Sequence, residues 1–158
     1  MIALSRRFAS LDRADRRLVI EAAFLMALVW TGLRLLPFPT LRHVLDRYAG
    51  SPRLRARAAL DAKRVAKETL QIDKVRWAIA GVAARFRGSA TCLVQALAAR
   101  AILRRRSIAC ELCFGVRVRR DSATPFQAHA WVTCESRVVI GNIERLPEFT
   151  VLTVATSP

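Results

Sequence analysis

Residues 90–142, ATCLVQALAARAILRRRSIACELCFGVRVRRDSATPFQAHAWVTCESRVVIGN, decide how the rest of the chain is read. Thr91 can cap a helix that begins at Cys92 and runs to about Arg105. Its density of Ala and Leu favours helix, and Arg104, Arg105 and Arg106 complement the C-terminal dipole. From Ile108 to Val118 the apolar period drops from 3.6 to 2: Ile108, Cys110, Leu112, Phe114, Val116 and Val118 alternate with Ala109, Glu111, Cys113, Gly115 and Arg117, as in a half-buried strand. A polar loop with Pro125 follows, then a strand over Ala128–Cys134, a tight turn at Glu135-Ser136 and a short strand over Val138–Ile140, which together make an antiparallel hairpin. Phe149–Val154 reads as a last strand.

Upstream the chain is helical. Ser10 or Asp12 can cap a helix that Pro37 and Pro39 end near Leu36. Its uncharged part, Ala22 to Leu33, is about 12 residues against the ~20 needed to span a bilayer, so a buried or interface helix is expected, with peripheral membrane contact and a true span as the alternatives. A short helix is expected over Leu41–Tyr48, another from Arg53 to about Leu70 after Ser51-Pro52, and a third over Lys74–Phe86, capped by Asp73 and ended at Gly88. Helices first and strands afterwards is the α+β pattern. At 158 residues the chain is the length of one domain, with residues 1–88 as a helical part and 89–158 as the core that carries chemistry.

The chain carries 27 basic against 12 acidic residues, a formal net charge of +15, while 53% of its residues are hydrophobic. Global disorder is excluded by that apolar content. The basic residues are almost all Arg, scattered among Ala and Leu, with no interleaved aromatic platform and no zinc-finger, RNA-binding or OB-type signature, so a nucleic-acid partner is not expected. Nothing points to secretion, and the four cysteines read as free thiols in a reducing cytoplasm. Cys110-x-x-Cys113 is half of a metal-binding pattern, but residues three apart on a strand face opposite ways and no second pair completes it; no metal or cofactor is expected.

The chemistry rests on Cys92 and His129. A thiol becomes a nucleophile as the thiolate, which a helix N-terminus and a nearby imidazolium both favour. Cys92 has the first, and His129 is placed to supply the second and to pass the proton onward. His43, in a basic amphipathic turn, reads as a surface residue. A third group should orient the imidazole. A regular hairpin turning at Glu135-Ser136 returns Asn142 beside His129, whereas Glu135 lies at the turn and Glu144 is the remaining alternative.

Three segments carry a family resemblance: Ala90-Thr91-Cys92-Leu93-x-Gln95-Ala96-Leu97-Ala98, Leu103-x-x-Arg106-x-Ile108-x-x-x-Leu112-x-x-Gly115-Val116, and Phe126-x-Ala128-His129-Ala130-Trp131-Val132. Together with Leu35-Leu36-Pro37-Phe38 they resemble the transglutaminase-like peptidases of lasso-peptide biosynthesis, the leader-peptidase part of the B protein in its split form. The resemblance implies a papain/transglutaminase-like core, a catalytic helix packed on a small antiparallel sheet, with a Cys92, His129, Asn142 triad. It implies an endopeptidase that removes the leader from a ribosomally made precursor peptide, served by a separate leader-recognition protein, with an asparagine-synthetase-like cyclase closing the ring. The family usually has Asp at the third position. Asn142 can still accept from the imidazole N–H but brings no charge. Acyl transfer from Gln to an amine uses the same acyl-enzyme, and a non-catalytic basic adaptor is the reading from a different class.

Overall fold

The protein is described from a computed structural model that defines residues 11–50, 62–86, 88, 90–118, 125–134, 137–141 and 143–155. Helix α1 (Arg13–Leu35) starts where the Asp12 carboxylate accepts from the Arg13 N–H and stops at Leu36, ahead of Pro37. Helix α2 (Phe38–Ala49) is longer than the sequence suggests: Pro39 sits in its first turn, where a missing N–H costs nothing. The largest departure is α3 (Ala62–Ala83), one continuous helix where two were expected. Asp73 does not cap it but lies inside it, because Leu70-Gln71-Ile72 contains no glycine or proline to break the helix. The expected start of the first of those two helices, from Arg53, lies outside the described residues.

Helix α4 (Cys92–Arg105) is the centre of the molecule. Thr91 caps it, its hydroxyl accepting from the Val94 N–H at 3.4 Å. Val94 and every residue from Ala96 to Arg104 are buried. A helix buried on all sides needs neighbours all round, and α4 packs against α1, α2, α3 and the sheet. Two buried positions are arginines: Arg100 and Arg104 are 3% and 8% exposed, and both guanidinium groups bind Asp46 of α2, Arg100 at 3.1 Å. They tie α2 to α4 instead of lining a surface.

The helix ends in a left-handed residue. Ser107 has φ +60°, the Ser107 N–H bonds to Arg104 O and the Ile108 N–H to Leu103 O, which is the paired bonding of a Schellman end with serine where glycine is usual.

The sheet holds β1 (Glu111–Val118), β2 (Phe126–Cys134), β3 (Arg137–Ile140) and β4 (Thr150–Ala155) in the order β3-β2-β1-β4, all neighbours antiparallel. A short 3-10 turn, Leu146–Glu148, leads into β4. The strand period separates two cores. Leu112, Ala130, Val132 and Cys134 join the main core with the helices, while Cys113, Trp131 and Phe149 form a second cluster. Cys110 packs on the first cluster and Cys113 belongs to the second, as expected for residues three apart on an extended chain.

The hairpin register departs from the regular one. Cys134 pairs with Arg137 and Thr133 with Val138, but Val132 pairs with Ile140, so Val139 is an extra residue in a bulge. The simple register therefore does not carry through to the level of His129. A bulge re-aims the residues beyond it.

Candidate active site

Cys92 is the first residue of α4 and half-buried, packed against the main core with Ala90 and Leu93. Helix geometry leaves its N–H without an intrahelical acceptor, so the thiol and a free main-chain donor share one position. The Gln95 amide is already committed, donating to Ala90 O at 2.8 Å, and it ties the helix to the residue that precedes its cap.

His129 is half-buried in the middle of β2, opposite Gly115 of β1. Its ring stacks on Trp131, centroids 6.0 Å apart and planes 19° from parallel, and lies 5.6 Å from the ring of Phe149. Gly115 is what lets Trp131 lie flat there: a Cβ on Gly115 would sit 2.8 Å from the Trp131 ring. Phe149 is held in turn by Arg117, whose guanidinium lies 5.3 Å from that ring, binds Glu148 at 2.6 Å and donates to the Gln127 side chain at 2.6 Å. Arg117 is 8% exposed while Glu148 and Gln127 lie at the surface, so a buried guanidinium with two surface partners braces the wall beside the imidazole.

The informative contact is His129 Nε2 to Gly141 O, 2.7 Å. A carbonyl oxygen can only accept, so Nε2 must carry the proton. In the neutral ring the lone pair then sits on Nδ1, which makes Nδ1 the nitrogen able to take a proton from a thiol. The orienting task that sequence reasoning assigned to a side chain is met here by a main-chain carbonyl. Gly141 is suited to it: its φ is +79°, and a Cβ there would meet Ala130 O at 2.8 Å and Trp131 Cβ at 2.9 Å. A main-chain acceptor leaves no signature in a sequence, although a glycine closing a strand is a faint one.

Asn142 lies outside the described residues, as does Glu135. Glu144 is exposed and makes no hydrogen bond to His129. The fold brings α4 and β2 into contact, but no hydrogen bond joins Cys92 to His129: the thiol packs on the helix-side core and the imidazole stands with Trp131 and Phe149. His43 is exposed on α2, as expected of a surface residue. Beside the Trp131–Phe149 cluster is a concavity of about 540 Å³ lined by Ile143, Glu144, Leu146 and Pro147, and Ile143 and Leu146 pack against that cluster as well.

The other three cysteines differ in their surroundings. The Cys110 thiol is held below the usual thiol range, first by a hydrogen bond with the Cys134 thiol and then by the Arg100 and Arg104 guanidinium groups, against the opposing effect of burial. Burial pushes the Cys113 thiol up. All four cysteines are unbridged.

A half-buried cysteine opens the central helix, an antiparallel sheet packs on that helix, and a histidine with one ring nitrogen fixed stands on the neighbouring strand, an arrangement of the α+β class. The chain belongs to the transglutaminase-like superfamily, whose family model matches residues 32–154. No curated protein and no solved structure matches it. Membership points to cysteine-peptidase or acyl-transfer chemistry.

Proposed function

We propose that the protein is a cysteine endopeptidase that removes the leader from a ribosomally made lasso-peptide precursor. The observation that carries the reading is the hydrogen bond from His129 Nε2 to Gly141 O, which presents Nδ1 as a base on the strand packed against the helix that Cys92 opens. For the reaction, Nδ1 takes the thiol proton as the Cys92 sulfur attacks the scissile carbonyl, and the Cys92 N–H faces the developing oxyanion. His129 returns the proton to the leaving amine as the C–N bond breaks. Water, deprotonated by the same nitrogen, then cleaves the thioester and frees the thiol. Substrate binding must bring thiol and imidazole within hydrogen-bond reach; such contacts are often long before substrate arrives.

In this reading Asn142, the residue that the resemblance puts in the third role, is the side chain that helps to orient the imidazole. The concavity at Ile143, Leu146 and Pro147 takes an apolar side chain of the precursor next to the cleavage point. The precursor is delivered by a separate leader-recognition protein in the cytoplasm, and an asparagine-synthetase-like cyclase uses the product.

Superfamily membership equally suits acyl transfer to an amine, which shares the thioester and differs only in what attacks it. The test is incubation of precursor and leader-recognition protein with the wild type, Cys92→Ala and His129→Ala, read by mass spectrometry. Free leader from the wild type and none from either folded variant is expected. A fully active Cys92→Ala ends the proposal, and an amide-linked product shifts it to acyl transfer.

A further inference from the structure

Helix α1 buries one face against the protein through Leu18, Ala22, Leu25, Met26, Val29 and Gly32. Its opposite face has no partner among the described residues. Ile20, Phe24, Ala27, Thr31 and Leu35 are all exposed and follow one another at steps of three and four, so they form a single stripe along the helix. The large members are bare, Ile20 at 55%, Phe24 at 61% and Leu35 at 75%. From Ile20 to Leu35 the stripe is roughly 22 Å long.

What covers it is indicated by its borders. Arg13 and Arg17 are exposed at one end and Arg34 at the other, where its guanidinium lies 3.8 Å over the ring of Trp30. The acidic residues nearby are occupied: Asp12 caps the helix, Asp15 binds Lys74 and Glu21 binds Arg106 and Tyr48. At the Ile20 end, a groove of about 580 Å³ has Ile20 and Phe24 for its apolar wall and Arg17, Arg105 and Arg106 among its lining residues. The stripe holds one polar side chain, Thr31, and a helical threonine can satisfy its hydroxyl on a carbonyl of the preceding turn, so it tolerates an apolar medium. That leaves little for a protein partner to bond, whereas a protein–protein interface makes about one hydrogen bond per 100–200 Å². Large apolar side chains in a line, guanidinium groups at both ends and a chain of net charge +15 match an anionic lipid surface.

We propose that α1 is a membrane-surface helix, lying in the plane of an anionic bilayer with Ile20, Phe24 and Leu35 among the acyl chains and Arg13, Arg17 and Arg34 at the phosphates. The other side of the helix stays in the protein core, so the chain docks without crossing. The reading is independent of the chemistry at Cys92.

Flotation of the full chain with mixed phosphatidylglycerol–phosphatidylcholine vesicles tests it, with pure phosphatidylcholine vesicles alongside. The wild type should float with the anionic vesicles and much less with the neutral ones. The double variant Ile20→Glu, Phe24→Glu, both at exposed positions, should keep its circular dichroism and lose at least about tenfold in partitioning. Arg17→Glu should weaken binding to anionic vesicles only. Equal binding of wild type and double variant, no binding by the wild type, or a wild-type dimer that the double variant converts to monomer would each overturn the proposal.

Discussion

Gly141→Ala separates backbone conformation from close contact at the residue that fixes His129. Two penalties combine. A non-glycine residue at a left-handed φ costs about 1–2 kcal/mol. The new Cβ would also stand 2.8 Å from Ala130 O and 2.9 Å from Trp131 Cβ, main-chain and near-main-chain atoms that cannot rotate away, and such crowding costs about 1–3 kcal/mol more. Gly88 provides the comparison: its φ is also +79°, but nothing lies within 4 Å of an added Cβ, so Gly88→Ala carries the conformational cost alone. Urea unfolding should rank wild type above Gly88→Ala above Gly141→Ala. The total for Gly141→Ala is about 2–5 kcal/mol, or a melting temperature lower by roughly 5–15 °C for a chain of this size. Imidazole ¹⁵N shifts supply the second readout. Wild-type His129 should be protonated at Nε2 when neutral, and Gly141→Ala should show a mixture of tautomers as the carbonyl is displaced. The reasoning fails if the two alanine variants are equally stable, or if wild-type His129 carries its proton on Nδ1.

Other consequences follow from buried charge, the end of α4 and a half-buried phenol. Asp46→Ala removes the carboxylate shared by Arg100 and Arg104 and leaves two nearly buried cations without it, so it should cost about 3 kcal/mol in urea unfolding, whereas a loss under about 1 kcal/mol would mean that the pairs are solvent-screened. Ser107→Gly relieves the left-handed residue at the end of α4 and should raise stability by up to about 1 kcal/mol; a loss would show that the serine side chain matters more than its backbone. Tyr48 is raised above the usual phenol range by burial first and then by its hydrogen bond to Glu21. Because the folded pKa is the higher, the unfolded chain ionises first, and stability should fall as pH rises through and above 10. Tyr48→Phe should flatten that decline, and an unchanged alkaline limb would remove Tyr48 as its cause.

How much of this was legible in the sequence depended on the kind of interaction. The central helix and the strands after it were readable because the apolar period changes at Ile108 and because Thr91 is a good cap. The helix boundaries upstream were less so: Asp73 has the chemistry of a cap, but a helix without a breaker simply continues through it. Arg104 reads in the sequence as a charge that complements the helix dipole, and its pairing with Asp46, like that of Arg100, was not legible, since only the tertiary fold brings Asp46 to them. The Cys92 and His129 positions stood out because thiol and imidazole chemistry is confined to a few side chains. The partner of His129 did not, because it is a carbonyl that every residue possesses, and the bulge at Val139 that breaks the regular hairpin register has no sequence marker.

The central claim is that Cys92 and His129 act as one chemical unit. Its most direct measurement is the rate at which iodoacetamide labels Cys92 at neutral pH, read residue by residue by mass spectrometry in the wild type and in His129→Ala. The account predicts that Cys92 labels several-fold faster in the wild type than in the variant, while Cys113, pushed up by burial, stays slow in both. Equal Cys92 rates in the two proteins, with both folded, would contradict it.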